Sequence, residues 1–182
     1  MKKYLAMLLA VLMLASLSSA AFAESTTVEI DTVELSIDDW NYEGGVTTTI
    51  SNVGIKIWLP EYLVDGEQEL TEEEESRGFL LKMEDVEGGP LAFAVAGLGA
   101  DIESLEEYAA YLLTNDGYTS VKMADINDIP ALVYYMPSLD TEAVAFHLNN
   151  NDILELYFTP AADEACSDLI RAMISSIQVA ED

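Results

Sequence analysis

Between residues 24 and 40 apolar positions alternate with polar ones at Val28, Ile30, Val33, Leu35 and Ile37, the period-two pattern of one or two leading strands. Gly44-Gly45 interrupts it. Strands are then predicted over 46–50 and 53–59, the second closed by Pro60, which has no N–H to donate to a ladder. Within 61–75, Thr71-Glu72-Glu73-Glu74 has the spacing of a capping box. Acids in a first turn favour the positive end of a helix dipole, so a short helix is predicted there. Residues 78–84 and 91–98 flank Asp85-Val86-Glu87-Gly88-Gly89-Pro90, a turn signal that predicts a hairpin. In its second strand Leu91, Phe93 and Val95 share one face and Ala92, Ala94, Ala96 and Leu98 the other. Both faces are apolar, so each needs a cover.

The spacing of Leu105, Tyr108, Ala109 and Leu112 predicts a helix. Ser104-Leu105-Glu106-Glu107 would start it as a second capping box, and Asn115-Asp116-Gly117 would stop it. Four further strands are predicted over 118–126, 130–136, 142–148 and 153–158, the last two joined by Asn149-Asn150-Asn151-Asp152, residue types that tolerate positive φ. A last helix is predicted to about residue 176, with Thr159 as its cap and Pro160 in its first turn. Successive hairpins rather than strand-helix-strand alternation give an α+β class: a mainly antiparallel β-sheet with helices on both faces, an α/β/α sandwich.

Processing and charge alter this picture next. Lys2 and Lys3, an apolar stretch over 4–14, and Ala21-Phe22-Ala23 before Glu24 form the three-part pattern of a signal peptide over 1–23, with cleavage between Ala23 and Glu24. Secretion or a place on the exterior of the cell envelope is the expectation. The serines at 16, 18 and 19 leave the apolar run too short for a retained span. A lipoprotein would have Cys at the cleavage point, whereas the one cysteine is Cys166. The whole chain has 34 acids and 7 bases in 182 residues, net −27; cleavage would leave 159 residues and a net of −29, since two lysines leave with the signal. Hydrophobic residues make up 51% of the chain, too many for an acidic disordered tail. So acidic a surface repels nucleic acid and anionic membrane. The organisation expected is a signal peptide over 1–23, an acidic extension over 24–45 and one α+β domain over 46–182.

Several of these segments together resemble the PsbP-like family, which includes the extrinsic photosystem subunit, a Ran-binding nuclear import factor and exported bacterial proteins. The resemblance covers about 46–179. It is carried by Ile55-Lys56-Ile57-Trp58-Leu59 running into Pro60, by Ser104-Leu105-Glu106-Glu107-Tyr108, by the hairpin Ile126-Asn127-Asp128-Ile129-Pro130-Ala131, and by Ile174-Ser175-Ser176-Ile177. Asp128 stands where Gly is common, and Asp also tolerates a left-handed turn position. The resemblance implies the α/β/α fold and a non-enzymatic binding or assembly role whose partner differs between members.

The chemistry-bearing residues narrow the function further. Triad and Cys-His catalysis need a histidine, and His147 is the only one, on a predicted strand with no nucleophile at a motif spacing. It reads as structural or surface-exposed. No phosphate loop or zinc pair occurs, so no enzyme is expected. Cys166 shares a helical stripe with Leu169, Ile170, Met173 and Ile177 and reads as a buried small hydrophobe. The densest acidic block is Glu61, Asp65, Glu67, Glu69, Glu72, Glu73, Glu74 and Glu75, the candidate face for a positively charged protein, peptide or cation. The alternative is a carboxylate-dependent hydrolase of extracellular glycans, with Trp40, Tyr42, Trp58 and Tyr62 as a stacking platform; core packing and loop anchoring compete for those aromatics. No cofactor is expected beyond weak calcium. Asp39, Asn41 and Glu43, followed by Gly44, match positions one, three and five and the turn glycine of an EF-hand loop, but Ile50 replaces its bidentate glutamate.

Overall fold

The computed structural model describes residues 30, 32–36, 43–85, 89–99 and 102–180. The signal expected over 1–23, the cleavage pair Ala23 and Glu24, and the loop residues Asp39, Trp40, Asn41 and Tyr42 lie outside the described residues. In chain order the elements are β1 (Thr32–Leu35), β2 (Gly45–Ile50), β3 (Ile55–Pro60), α1 (Glu61–Val64), α2 (Glu72–Ser76), β4 (Phe79–Glu84), β5 (Ala92–Leu98), α3 (Leu105–Leu113), β6 (Thr119–Ile126), β7 (Ile129–Met136), β8 (Thr141–His147), β9 (Ile153–Thr159), α4 (Glu164–Ser175) and β10 (Gln178–Val179).

Seven strands form one sheet, in the order β1-β6-β7-β8-β9-β5-β4, and β10-β3-β2 form a second. Neighbours are antiparallel except β1 and β6, which pair in parallel from Thr32↔Met123 to Leu35↔Ile126. The class is the expected α+β. Alternation then sorts each strand between two cores. Leu91, Phe93, Val95, Val144, Leu156 and Phe158 face one; Ala94, Ala96, Leu132, Tyr134, Ala143, Ala145 and Tyr157 face the other. Phe79 and Leu81 are two apart and would share a face, yet they enter opposite cores, because a bulge between them shifts the register.

A helix covers each face as expected, but on one face it is not the whole cover. On the alanine-rich face, α3 supplies Leu105, Tyr108, Ala109 and Leu112. On the other, α4 shares the task with the small sheet: Cys166, Ile170, Met173 and Ile174 meet a core that also holds Ile50, Ile55, Ile57 and Leu59. The strands over 45–60 thus form a layer of their own instead of extending the main sheet.

Two helix starts also differ. Thr159 ends β9, where its hydroxyl donates to Asp140 O at 3.1 Å, and α4 is capped by Asp163, whose Oδ1 accepts from Ala165 N at 3.0 Å and Cys166 N at 3.2 Å. A carboxylate four residues further on satisfies helix-end donors that Thr159, spent on the strand exit, does not reach. Ser104 caps α3 by accepting from Glu107 N, but Glu107 accepts from Glu103 N rather than from Ser104, so the box is half formed. The box of α2 is complete, with Thr71 Oγ1 accepting from Glu74 N and Glu74 Oε2 accepting from Thr71 N at 2.7 Å.

The β6–β7 turn has Asn127 and Asp128 at φ 51° and 66°, the double left-handed geometry of a tight hairpin. Asp128 therefore takes the backbone position usually given to glycine. Asn127 also donates to Ser175 O at 2.8 Å and Ile177 O at 2.9 Å, tying this turn to the end of α4.

Candidate functional site

The acidic block of 61–75 is a strap across the end of the main sheet. Gly66 O accepts from Glu84 N and Gln68 N donates to Lys82 O, both at 2.9 Å, while Glu67 bridges to Met83 of β4. A Cβ on Gly66 would fall onto Glu84 O, so glycine is required for this approach. Of the eight acids, Glu61, Asp65, Glu67, Glu69, Glu72, Glu73 and Glu75 are exposed. Glu74 does not belong to their face. It is 2% exposed, and its Oε1 accepts from Lys82 Nζ at 2.8 Å in a buried ion pair. Helical spacing turns it inward, and the capping box fixes it there. Burial by itself would raise its pKa. The hydrogen bond from Lys82, with those from the Thr71 backbone and hydroxyl, outweighs burial and brings it below the usual carboxylate range. On the outside, Glu73 pairs with Arg77 one turn on. Glu74 thus acts as the anchor, the backbone around Glu67 is bonded to β4, and Glu72, Glu73 and Glu75 are carried on the capped helix α2.

A second polar constellation lies under α3. Glu155 is the only acid on β9, whose seven residues are all buried. Its cross-strand neighbours are Ala96 on β5 and Ala145 on β8, and the small side chains leave room above it for rings. Tyr108 reaches down from α3 and donates to Glu155 Oε1 at 2.7 Å; Tyr134 of β7 donates to the same oxygen and Tyr157 of β9 to Oε2. Tyr118 stands edge-on to Tyr134, with ring centroids 5.5 Å apart. Among the described residues the partners of this carboxylate are phenols alone, without a base. Burial accordingly raises the Glu155 pKa above the ordinary carboxylate value, against the three phenol bonds that lower it. Burial, then the charge of Glu155, raises Tyr108, Tyr134 and Tyr157 well above the usual phenol value, and moves Tyr118 to about 12. Glu155 is 1% exposed, and Tyr108, Tyr134 and Tyr157 are 5%, 2% and 3% exposed, so the cluster is closed to substrate.

The architecture has a counterpart among solved structures. The solution structure of cyanobacterial PsbP (CyanoP) from Synechocystis sp. PCC 6803 superposes with a TM-score of 0.50 at 11% identity, over 76% of this chain and 94% of that one. The fold is PsbP-like. A crystal structure from Bacteroides thetaiotaomicron VPI-5482 aligns with a TM-score of 0.47 at 13% identity, over 77% of this chain and 50% of that one. No protein-family model matches the sequence. No curated protein matches it either.

Within this PsbP-like fold the remaining candidates are distributed as follows. His147 is half-buried at the end of β8, its Nε2 2.8 Å from Ile102 O, where it joins the segment leading into α3 to the sheet. Cys166 is buried in the core under α4, and burial, then Asp163, pushes its thiol pKa up, away from the reactive thiolate. Trp58 and Tyr62 pack against the core between the two sheets. Glu43 is exposed, while Asp39 and Asn41 lie outside the described residues; among the described residues no three acids, histidines or cysteines are grouped to hold a metal ion. Glu155 was missed in the sequence, although an acid in the run Ile-Leu-Glu-Leu-Tyr-Phe is a visible exception. Its partners on α3 and β7 are far away along the chain, and only the topology unites them.

Proposed function

We propose that the protein is an exported, non-enzymatic binding or assembly module that presents the strap acids Glu61, Asp65, Glu67, Glu69, Glu72, Glu73 and Glu75 to a basic protein, peptide or cation. The observation that supports this most is the division of labour within the strap: one carboxylate is buried as an anchor and seven are held outward on an ordered backbone. Preorganised charge meets a partner without first ordering a loop, which lowers the cost of binding. A carboxylate hydrolase needs an acid of raised pKa open to its substrate, and Glu155 has the raised pKa but is sealed beneath three tyrosines. Fluorescence anisotropy with a lysine-rich peptide, at low and physiological salt, tests the reading. Binding that weakens with salt and with Glu72, Glu73 and Glu75 changed together to Gln supports it. Binding indifferent to both, or turnover of a glycan substrate, overturns it.

A further inference from the structure

The strand edges of this protein are unequally protected. An open edge offers unpaired N–H and C=O groups to any extended chain, and proteins guard such edges with charge, brevity or a covering segment. The strap covers β4. β1 is four residues long and contains Glu34, and β10 has only two residues. Among the described residues β2 has none of these guards: Gly-Val-Thr-Thr-Thr-Ile is six residues long, uncharged, and at the edge of the small sheet.

The ladder shows which groups point outward. Trp58 N donates to Ser176 Oγ at 2.7 Å, so the Trp58 amide faces away from β2, and Ile55, Ile57 and Leu59 face towards it. Their partners Ile50, Thr48 and Val46 are therefore the inward-bonded residues of β2, in keeping with Gly44 O accepting from Glu61 N at 3.1 Å. The alternating set, Gly45, Thr47 and Thr49, aims its N–H and C=O groups at the open edge, and the Thr47 and Thr49 side chains are exposed. The charges at the two ends differ. Exposed Glu43 and Glu61 stand at the Gly45 end, and Lys56 lies opposite Thr49 at the other.

The geometry points to β2 as a strand-addition site: an extended polypeptide segment pairs with Gly45, Thr47 and Thr49 as a fourth strand of the small sheet and sets Lys or Arg beside Glu43 and Glu61. In the antiparallel arrangement, the more stable per residue, those bases are at the C-terminal end of the incoming segment. A second copy of this chain is the less suitable occupant, since each copy has a net charge of −27. This rests on the proposed binding of a basic partner and adds its docking mode.

The test uses a β-forming peptide with lysines at its C-terminal end and two N-methylated versions, each blocking the amides of one edge while leaving the charge unchanged. Affinity is expected to fall at least about tenfold for one methylated version only, with the Thr47 and Thr49 amides gaining hydrogen-exchange protection from the parent peptide. Thr47→Pro removes an outward donor and should weaken binding comparably, because proline is tolerated at an edge N–H that faces solvent. The methylated pair gives the answer on the unaltered protein if that variant does not fold. Equal binding of all three peptides, without protection of Thr47 and Thr49, overturns strand addition yet leaves acidic-face binding standing. Loss of binding by the strap substitutions without change at β2 likewise assigns the peptide to the strap. Concentration-dependent dimers that protect Thr47 and Thr49 overturn the basic-partner assignment in favour of a second copy.

Discussion

Glu155→Gln isolates the energetics of the buried carboxylate. The substitution keeps shape and one acceptor oxygen but removes the titration. Burial lifts the folded-state pKa of Glu155, so the native chain holds this proton more tightly than the unfolded chain. Its contribution to stability is complete below the ordinary carboxylate value and is lost as pH rises through the higher folded value. Between those two values the loss amounts to about 1.4 kcal/mol per pH unit for a single proton. Urea denaturation of both proteins at successive pH values from about 4 to about 9 would be followed by intrinsic fluorescence, below the range in which these phenols ionise. The difference between wild type and variant cancels the repulsion among the surface acids, which the two proteins share. The wild type is expected to be at its most favourable relative to the variant at the acid end and to lose ground as pH rises, then to level off. Parallel curves throughout would refute the assignment of a raised pKa to Glu155. Glu155→Ala separates the hydrogen-bonding role from titration: it leaves three phenol hydroxyls without their acceptor, at about 1–3 kcal/mol each, and destabilises at every pH.

Other expectations follow from the strap and the turns. Lys82→Met strands the Glu74 charge in a buried site and should cost about 3–5 kcal/mol in urea denaturation, most of it recovered when Glu74→Leu is added. The lowered pKa of Glu74 has the opposite sign to that of Glu155: its contribution is present above the ordinary carboxylate value and vanishes as pH falls through its lower folded value, which Glu74→Gln would reveal as a flatter acid limb. Asn127→Gly and Asn127→Ala both lose the two hydrogen bonds to the end of α4, but glycine adopts the left-handed backbone without strain and alanine does not. The alanine variant should therefore melt lower than the glycine variant by a margin equivalent to about 1 kcal/mol. Asp163→Ala removes the cap of α4 and should lower stability by about 1 kcal/mol, while Thr159→Val, at the site predicted for the cap, should leave α4 capped as judged by amide exchange at Ala165 and Cys166.

The sequence made local features legible and long-range ones only in part. The two-sided burial of β5 followed from the alternation of Phe93 and Val95 with Ala94 and Ala96, because side-chain direction in a strand is fixed by period two. The Thr71 box was readable because both partners lie within four residues. Glu74 was counted with the surface acids because composition does not reveal that Lys82, across a turn and on a strand, points back at it. Assigning 45–60 to a separate small sheet needed the pairing of β3 with β10, more than a hundred residues later, which no local pattern encodes. Thr159-Pro160 has the pattern of a common helix entry, but the Thr159 hydroxyl donates to Asp140 in the β7–β8 turn, a long-range partner that the local pattern does not encode.

The parallel pairing of β1 has a dynamic consequence. Thr32, Val33 and Glu34 are exposed, and only Leu35 among the strand's apolar residues packs against a core, so β1 is held chiefly by its backbone ladder to β6. Its local opening requires little apolar surface to meet water, while β9, a fully buried interior strand of the same sheet, opens only with the whole core. The main sheet therefore has a detachable margin: β1 can peel away and leave six antiparallel strands intact, exposing the outer edge of β6. Amide exchange should register this as two separate steps, an early one confined to Thr32–Leu35 and its partners on β6, and a late one shared by β5, β8 and β9.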